Sequence, residues 1–185
     1  TWLGLAGMAD PMREGMDTLI AQFHRAGISN VMITGDQAAT AQAIGEQLGL
    51  SGDQPLQVLE SSKLEEMDPE LLAGLVRNVH VFARVSPANK LQIVQALQSA
   101  GVTVAMTGDG INDGPALKAA DIGIAMGKSG TDVARDVADV VLEEDNLQTL
   151  ALALKDGRTI HGNIRKSVHF FLSTNISEIM LMTTA

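Results

Sequence analysis

Short apolar runs alternate with longer stretches of helical character along most of the chain. Residues 30–34, 79–84 and 102–106 are apolar runs of strand length, and each neighbours a segment with apolar residues at helical spacing. This alternation is typical of βα units, in which helices connect parallel strands. The chain is therefore predicted to form an α/β domain with a mainly parallel sheet.

Turn and capping residues set the other predicted boundaries. Gly27 ends the first predicted helix, and Asp68 followed by Pro69 is a typical helix start. Residues 49–63 are polar and are predicted to form an irregular surface excursion. Further strands are predicted at residues 3–8, 122–125 and 140–142, and helices at residues 14–25, 38–48, 87–99 and 131–136.

Residues 146–185 differ in character from the rest of the chain. They contain no proline, so one long helix or two stacked helices are predicted. From Val168 onward the segment is markedly apolar, and His169 and Glu178 are its only ionisable side chains. Its length approaches the ~20 residues that span a bilayer. We therefore predict a first domain over residues 1–150 and a helix that enters a membrane over residues 151–185.

The composition excludes several classes of function. The chain has 13 basic and 22 acidic residues, a net charge of −9 and only 3% aromatic residues, so nucleic acid is not an expected partner. It has no cysteine, which excludes disulfides, thiolate metal sites and a cysteine nucleophile.

An acidic, glycine-rich run directly follows the apolar residues 102–105. It reads Met-Thr-Gly-Asp-Gly-Ile-Asn-Asp-Gly over residues 106–114 and contains Asp109 and Asp113. In open parallel sheets, ligands bind beyond the carboxyl ends of the strands. A glycine-rich turn there admits a phosphate, and carboxylates can hold a hard cation against it. Metal-assisted phosphoryl chemistry is the first hypothesis.

Two phosphate-binding fingerprints are nearly matched but fail on spacing. Residues 123–129 resemble a Walker A loop, whose first glycine should stand at position 122, where the chain has Ile122. The glycines after residues 102–106 miss the dinucleotide pattern, because Asp113 stands where a small residue is required. Neither fingerprint is predicted to be functional.

Two other predicted strands also lead into polar groups. Residues 34–36 are Thr-Gly-Asp, and Lys90 lies at the start of the helix that follows Ser86 and Pro87. A hydroxyl, backbone amides, a cation and a carboxylate pair are the groups that hold a phosphoryl group and its magnesium ion. These segments are therefore predicted to form one site with the acidic run.

In order and spacing, these motifs strongly resemble the phosphorylation domain of P-type ATPases, ion pumps of the haloacid dehalogenase superfamily. The resemblance covers essentially the whole chain, and Thr-Gly-Asp-Gly-Ile-Asn-Asp at residues 107–113 is among the family's most specific motifs. Asp-Pro-Met-Arg at residues 10–13 resembles the family's hinge element. The resemblance implies a three-layer, Rossmann-like haloacid dehalogenase fold, with residues 1–150 as the C-terminal part of the phosphorylation domain. It also implies that residues 151–185 are a stalk helix running into the fifth transmembrane segment.

The resemblance also implies roles for individual residues. Asp109 and Asp113 would hold Mg²⁺, and Asn112 would join the metal and phosphate network. Asp36 has an alternative reading as the N-cap of the helix at residues 38–48. On the last helix, the resemblance to calcium and sodium pumps makes Asn175 and Glu178 candidate ligands of the transported ion. The residues implied to bind phosphoryl or nucleotide groups are Thr34, Gly35, Asp36, Arg84 and Lys90.

One feature of the family is absent from the sequence. The family's nucleophile is the aspartate of an Asp-Lys-Thr-Gly-Thr motif, which occurs nowhere in residues 1–185. We expect it upstream, beyond an inserted nucleotide-binding domain. The haloacid dehalogenase fold should then be incomplete in this segment, because the strand that carries the nucleophile is missing. The segment alone is predicted to be inactive.

The resemblance implies that the full protein couples formation and hydrolysis of an aspartyl phosphate, with Mg²⁺ and ATP, to cation transport. Its partners would be the nucleotide-binding, actuator and transmembrane domains of the same pump, in a multi-pass membrane protein with residues 1 to about 165 on the cytoplasmic side. A soluble phosphatase of the same superfamily is the first alternative, although the apolar C-terminal segment argues against it. A non-catalytic regulatory domain is the second.

Overall fold

The computed structural model describes residues 12–65 and 67–184. The strand predicted at residues 3–8 and the candidate residue Asp10 lie outside these ranges. Short 3-10 helices occupy Val76–Asn78 and Ile111–Asp113. The other elements in chain order are α1 (Met16–Arg25), β1 (Met32–Ile33), α2 (Ala38–Leu48), β2 (Val58–Glu60), α3 (Ser61–Glu65), α4 (Pro69–Leu75), β3 (Val81–Ala83), α5 (Pro87–Ser99), β4 (Ala105–Gly108), α6 (Gly114–Ala119), β5 (Ile122–Met126), α7 (Asp132–Val137), β6 (Val140–Leu142) and α8 (Gln148–Thr184).

The six described strands form two three-stranded sheets in which every pair is parallel. The first sheet has the order β1-β3-β2, and the second has the order β4-β5-β6. Met32 lies opposite Val81 in the first, and Ala105 lies opposite Ile122 in the second. No strand pair among the described residues joins the two sheets. The α/β class with parallel strands is confirmed, and β1 and β4 are edge strands within the described part of the chain.

Helices cover both faces of β3, the central strand of the first sheet. Val81 and Ala83 pack with Ile20 of α1 and Ala41 of α2. Phe82, between them in sequence, points to the opposite face because strand side chains alternate. It belongs to a larger core cluster that contains much of α5. The result is a three-layer arrangement around this sheet, as the resemblance implied.

The larger core cluster also reaches the second sheet. Besides Phe82 and Ile93, it includes Met106 of β4, Leu117 of α6 and Ala125 of β5. The two sheets therefore share one hydrophobic core even though no strand pair joins them. This shared core holds the carboxyl ends of β3 and β4 in a common framework.

The prediction of an irregular excursion over residues 49–63 is wrong at its end. Val58–Glu60 forms β2, which pairs in parallel with β3, and α3 begins at Ser61. A three-residue strand gives too few positions for a period of two to emerge. All three residues of β2 are only half buried, so the apolar signal is weak as well.

The strand predicted at residues 102–106 begins three residues later in the structure, at Ala105. The backbone N–H of Val102 donates to the Leu97 carbonyl at 3.1 Å, closing the turn after α5. The N–H of Val104 donates to Asp121 Oδ2 at 2.8 Å. Local turn and side-chain acceptors thus occupy these donors before strand pairing starts.

Contacts divide the chain into two units, residues 1–145 and residues 146–185. Within the second unit, residues 148–184 form the single continuous helix α8, which is one of the two arrangements predicted. At 37 residues it is about 55 Å long. Across the described residues, no helix combines the length and the apolar character that crossing a membrane requires.

Candidate functional site

The acidic run folds around one of its own carboxylates. β4 ends at Gly108, and Asp113, only 7% exposed, closes the following 3-10 turn. Asp113 Oδ2 accepts hydrogen bonds from the backbone N–H groups of Asp109 at 3.3 Å and Gly110 at 3.2 Å. A Cβ atom at Gly108 would lie 2.6 Å from Asp113 Cβ, so only glycine fits there. The Asp113 carboxylate therefore fixes the course of the loop.

Lys90 reaches this loop from the first turns of α5. Ser86 caps the helix by accepting from the N–H of Asn89 at 3.3 Å, and Pro87 occupies its first turn. Lys90 Nζ lies 2.5 Å from Asp113 Oδ1, and the two side chains are 20% and 9% exposed. The structure thus brings together the lysine and the acidic loop that the sequence predicted to share a site.

The Asp109 carboxylate lies at the same strand end but is exposed. It forms no hydrogen bond or ion pair with any described residue, whereas both oxygens of Asp113 are occupied by Lys90 and the loop amides. Magnesium is bound by one or two carboxylates together with substrate phosphates and water. The chemistry at this strand end fits Mg²⁺, and Asp109 has the freer oxygens. Asn112 beside it is also exposed.

Protein groups alone do not enclose a metal ion in the described ranges. No group of three or more His, Asp or Glu side chains with suitable placement occurs there. Asp109 and Asp113 could hold Mg²⁺ only with further oxygen donors, such as a substrate phosphate and water. This requirement suits a site where the ion acts on a bound phosphoryl group rather than one where it is structural.

Thr34, Gly35 and Asp36 form a compact turn directly after β1. The Thr34 hydroxyl donates to Asp36 Oδ2 at 2.7 Å and accepts from the Asp36 N–H at 3.1 Å. Gln37, not Asp36, is the N-cap residue of α2 and makes no side-chain capping bond, so the capping reading of Asp36 is wrong. The Gly35 N–H donates to no described residue. It is an available donor for an anion.

The backbone around Arg84 fastens this turn to the end of β3. The Arg84 N–H donates to the Asp36 carbonyl and the Val85 N–H to the Thr34 carbonyl, both at 2.9 Å. Arg84 has a φ of 54°, a left-handed conformation that is uncommon outside glycine. The Ser61 hydroxyl donates to the Arg84 carbonyl at 2.5 Å. Sequence reasoning missed Ser61 because it treated that segment as an irregular loop.

The loop between β5 and α7, residues 127–131, contacts the acidic run. No role for this loop was predicted from the sequence. The Thr131 N–H donates to the Asp109 carbonyl at 2.8 Å. Just before Thr131, the N–H groups of Lys128 and Ser129 donate to the Asp145 carboxylate. Desolvation raises the pKa of Asp145, but hydrogen bonds from Lys128, Ser129 and the Gly127 backbone outweigh it and lower that pKa. No local signal marks Asp145, because the fold alone brings it to this loop.

The candidate ion ligands lie apart in sequence from these loops, on α8. Asn175 and Glu178 are three residues apart, a spacing that puts two side chains on one side of a helix. Both are exposed. An amide and a carboxylate on one helix face offer oxygen ligands of the type that hard cations prefer.

Comparison with known proteins gives a consistent family assignment. Residues 1–121 match the haloacid dehalogenase-like hydrolases. The chain is 47% identical over 188 residues to the calcium-transporting ATPase of Bacillus subtilis (strain 168), covering 100% of this chain and 21% of that protein. It is 49% identical over 179 residues to the cation-transporting ATPase pma1 of Synechocystis sp. (strain ATCC 27184 / PCC 6803 / Kazusa), covering 97% of this chain and 20% of that protein.

A solved structure supports the same assignment. The crystal structure of a zinc-transporting PIB-type ATPase in the E2.Pi state superposes with a TM-score of 0.64 at 34% identity. The match covers 85% of this chain and 21% of that one. The chain thus spans about a fifth of the length of each of these three proteins.

Proposed function

The chain belongs to the haloacid dehalogenase-like hydrolase family, and we propose that it forms part of the phosphorylation domain of an ATP-driven cation pump. The observation that carries this proposal is the junction of Lys90 with Asp113 beside the exposed Asp109. Lys90 Nζ pairs with the largely buried Asp113 carboxylate, and the exposed carboxylate of Asp109 follows the end of β4 in the same loop. The proteins that the chain resembles are P-type ATPases, and that family uses Mg²⁺ and ATP.

Each polar group has a place in phosphoryl transfer. Apart from the nucleophilic aspartate, that reaction depends on groups that position the phosphoryl group and neutralise its charge. Mg²⁺, when bound, would neutralise phosphoryl charge, and Asp109 is the residue with free oxygens to hold it. Lys90 Nζ would neutralise further charge while Asp113 fixes its position. The Asn112 amide would complete the metal and phosphate network.

The turn after β1 would bind phosphoryl oxygens. The Gly35 N–H forms no hydrogen bond with any described residue and can donate to an anion. Asp36 Oδ2 accepts a hydrogen bond from the Thr34 hydroxyl, so a phosphoryl oxygen must compete with Asp36 for that donor. Arg84, whose backbone holds this turn, is proposed to lie near the nucleotide.

The nucleophilic aspartate would lie on a strand between the two sheets. β1 and β4 each pair with one neighbour among the described residues, and Thr34 and Asp109 follow their carboxyl ends. A parallel strand between them would satisfy both edges. Its end would then lie between the phosphate-binding turn and the magnesium ligand.

The helix α8 would transmit the chemical step to a membrane domain. Arg165 and Lys166 precede its apolar part, and basic residues are enriched on the cytoplasmic side of membrane helices. Asn175 and Glu178 are proposed to contribute ligands of the transported ion, and their oxygens suit Ca²⁺ or Na⁺ better than soft metals. Residues 1 to about 165 would then be cytoplasmic. The nucleotide-binding, actuator and transmembrane domains of the same pump would be the partners.

Transport by the full-length protein in inside-out vesicles tests this proposal. We expect ATP and Mg²⁺ to drive uptake of a cation, with Ca²⁺ and Na⁺ as the first to be measured. Mg²⁺-dependent hydrolysis of small phosphate esters that does not depend on Ca²⁺ or Na⁺ would instead show a phosphatase of the same superfamily.

A further inference from the structure

The loop between β5 and α7 is held by a carboxylate from outside the loop. Asp145 Oδ1 accepts from the Lys128 N–H at 2.9 Å, and Asp145 Oδ2 accepts from the Ser129 N–H at 2.8 Å. Both oxygens of one side chain thus bind two successive amides. Such charge-assisted bonds are stronger than neutral ones, and the pair of them restrains the loop.

The opposite side of the same loop is held by Arg135. Its Nη1 donates to the Gly127 carbonyl at 2.8 Å and to the Gly130 carbonyl at 2.5 Å. Side chains from two different segments therefore fix the loop's amides and its carbonyls.

Asp145 has an uncommon backbone conformation. Its φ is 55°, in the left-handed region that few non-glycine residues adopt. Its backbone is held in place, because its N–H donates to the Leu142 carbonyl at 3.0 Å and Arg13 Nη1 lies 3.5 Å from its carbonyl oxygen. Conformations of this kind persist where the surrounding structure enforces them, and they cluster at functional sites.

The restrained loop leads directly to Asp109. Thr131, the next residue, is fixed as the N-cap of α7 by accepting from the Ala134 N–H at 3.3 Å. Its own N–H donates to the Asp109 carbonyl at 2.8 Å. The Asp109 N–H is held from the other side by Asp113. Since the Asp109 carboxylate forms no hydrogen bond or ion pair with a described residue, its position depends on these two backbone anchors.

We propose that Asp145 is a positioning residue for the magnesium site, acting through the 127–131 loop on the backbone of Asp109. This inference rests on the proposed function, in which Asp109 holds Mg²⁺. Loss of the Asp145 hydrogen bonds would loosen the 127–131 loop. The Asp109 carboxylate would then sample positions that bind the ion poorly. Residues that orient a metal ligand typically contribute about 10–100-fold to metal affinity or activity.

The test compares Asp145→Ala and Asp145→Asn in the full-length protein. Mn²⁺ together with inorganic phosphate serves as the probe, and Mn²⁺ binding is followed by electron paramagnetic resonance at the site that Asp109→Asn removes. We expect Asp145→Ala to weaken that binding about tenfold or more. Asp145→Asn should weaken it less, because its amide oxygen still accepts from one loop N–H. Glu144→Gln is the matched control, since Glu144 pairs with Lys128 Nζ but accepts from no loop amide, and it should bind Mn²⁺ like the wild type.

Phosphorylation from ATP gives the second readout. In the alanine variant we expect a higher Mg²⁺ concentration for half-maximal labelling and recovery of labelling at high Mg²⁺. A uniform loss of labelling with unchanged Mn²⁺ affinity and Mg²⁺ dependence would overturn the proposal, because Asp145 would then serve folding alone. If the wild type binds Mn²⁺ at Asp109 but is never phosphorylated, the pump function fails, and the Mn²⁺ comparison still decides the role of Asp145.

Discussion

Lys90 Nζ lies 2.5 Å from Asp113 Oδ1, and these two residues join the two sheets at their functional ends. It is the only ion pair among the described residues that links the segment after β3 with the segment after β4. The Asp113 carboxylate also binds two amides of its own loop. One largely buried carboxylate thus sets the position of both the lysine and the loop that carries Asp109.

Lys90→Met should destabilise the chain, because it leaves the Asp113 carboxylate buried without its cation. Leaving a buried polar group unsatisfied costs about 1–3 kcal/mol, and Asp113 retains its two amide bonds, so the loss should fall within that range. The free energy of unfolding from urea titration measures it. Lys128→Met is the matched control: its pair with Glu144 is exposed, so the loss should stay below about 1 kcal/mol. Equal losses in the two variants would mean that burial adds nothing to the Lys90 pair.

Gly108→Ala should disturb the acidic loop. The added Cβ would lie 2.6 Å from Asp113 Cβ, so the Asp113 side chain must move away from its loop amides. We expect a loss of about 1–3 kcal/mol in the free energy of unfolding. Gly74→Ala in α4 is the control, because its Cβ would meet nothing within 4 Å. It should be neutral or stabilising by up to about 1 kcal/mol. A destabilised control beside an unaffected Gly108→Ala would contradict the packing seen here.

His80 should make stability depend on pH. Its Nδ1 accepts from the Gln57 N–H at 3.1 Å, and burial, followed by the nearby His24, lowers its pKa from 6.5. The folded state therefore binds the proton less readily than the unfolded state. The contribution of neutral His80 to the free energy of unfolding is present above about pH 6.5. It is lost as the pH falls through the lowered pKa of the folded state.

Urea titrations from about pH 7 to about pH 5 measure this effect, since histidine changes its charge in that range. His80→Asn should flatten the dependence. His161→Asn, on α8, should keep the wild-type slope. If His80→Asn has the wild-type slope as well, another group is responsible for the pH dependence.

Glu178→Gln should change the ion requirement of the full-length protein and leave the phosphorylation site intact. Loss of one charged oxygen ligand weakens a hard-cation site, so we expect about tenfold more cation for half-maximal phosphorylation, or a larger shift. The measurement is labelling from ATP over a range of Ca²⁺ or Na⁺ concentrations. Glu144→Gln should not shift the curve. An unshifted curve in the Glu178 variant would remove this residue from the ion site.

The sequence predicted the elements that have a strong period or clear caps. The bounds of α2 and α5 match the predicted helices, since a Pro after the Ser86 cap and a Gly after Leu48 mark their ends. β2 was missed because three half-buried residues show no period. Segments whose structure depends on a distant partner, such as the start of β4 against Asp121, had no local signal.

In the candidate site, too, some contacts were predicted from the sequence and others were not. The meeting of Lys90 with the acidic loop was predicted from complementary charges at the ends of parallel strands. The sequence did not show that β3 and β4 lie in two sheets that share a core. The anchoring of Asp109 by Thr131, and of the preceding loop by Asp145, was not predicted. Those contacts join residues that are 16 or more positions apart through backbone amides, which carry no sequence signature.

Acid-stable phosphorylation of the full-length protein by labelled ATP in the presence of Mg²⁺ tests the central claim most directly. The account predicts that the wild type and Glu144→Gln are labelled and that Asp109→Asn greatly reduces labelling at every Mg²⁺ concentration. Labelling of Asp109→Asn at the wild-type level and with the wild-type Mg²⁺ dependence would contradict it, because the exposed carboxylate after β4 could not then be the magnesium ligand.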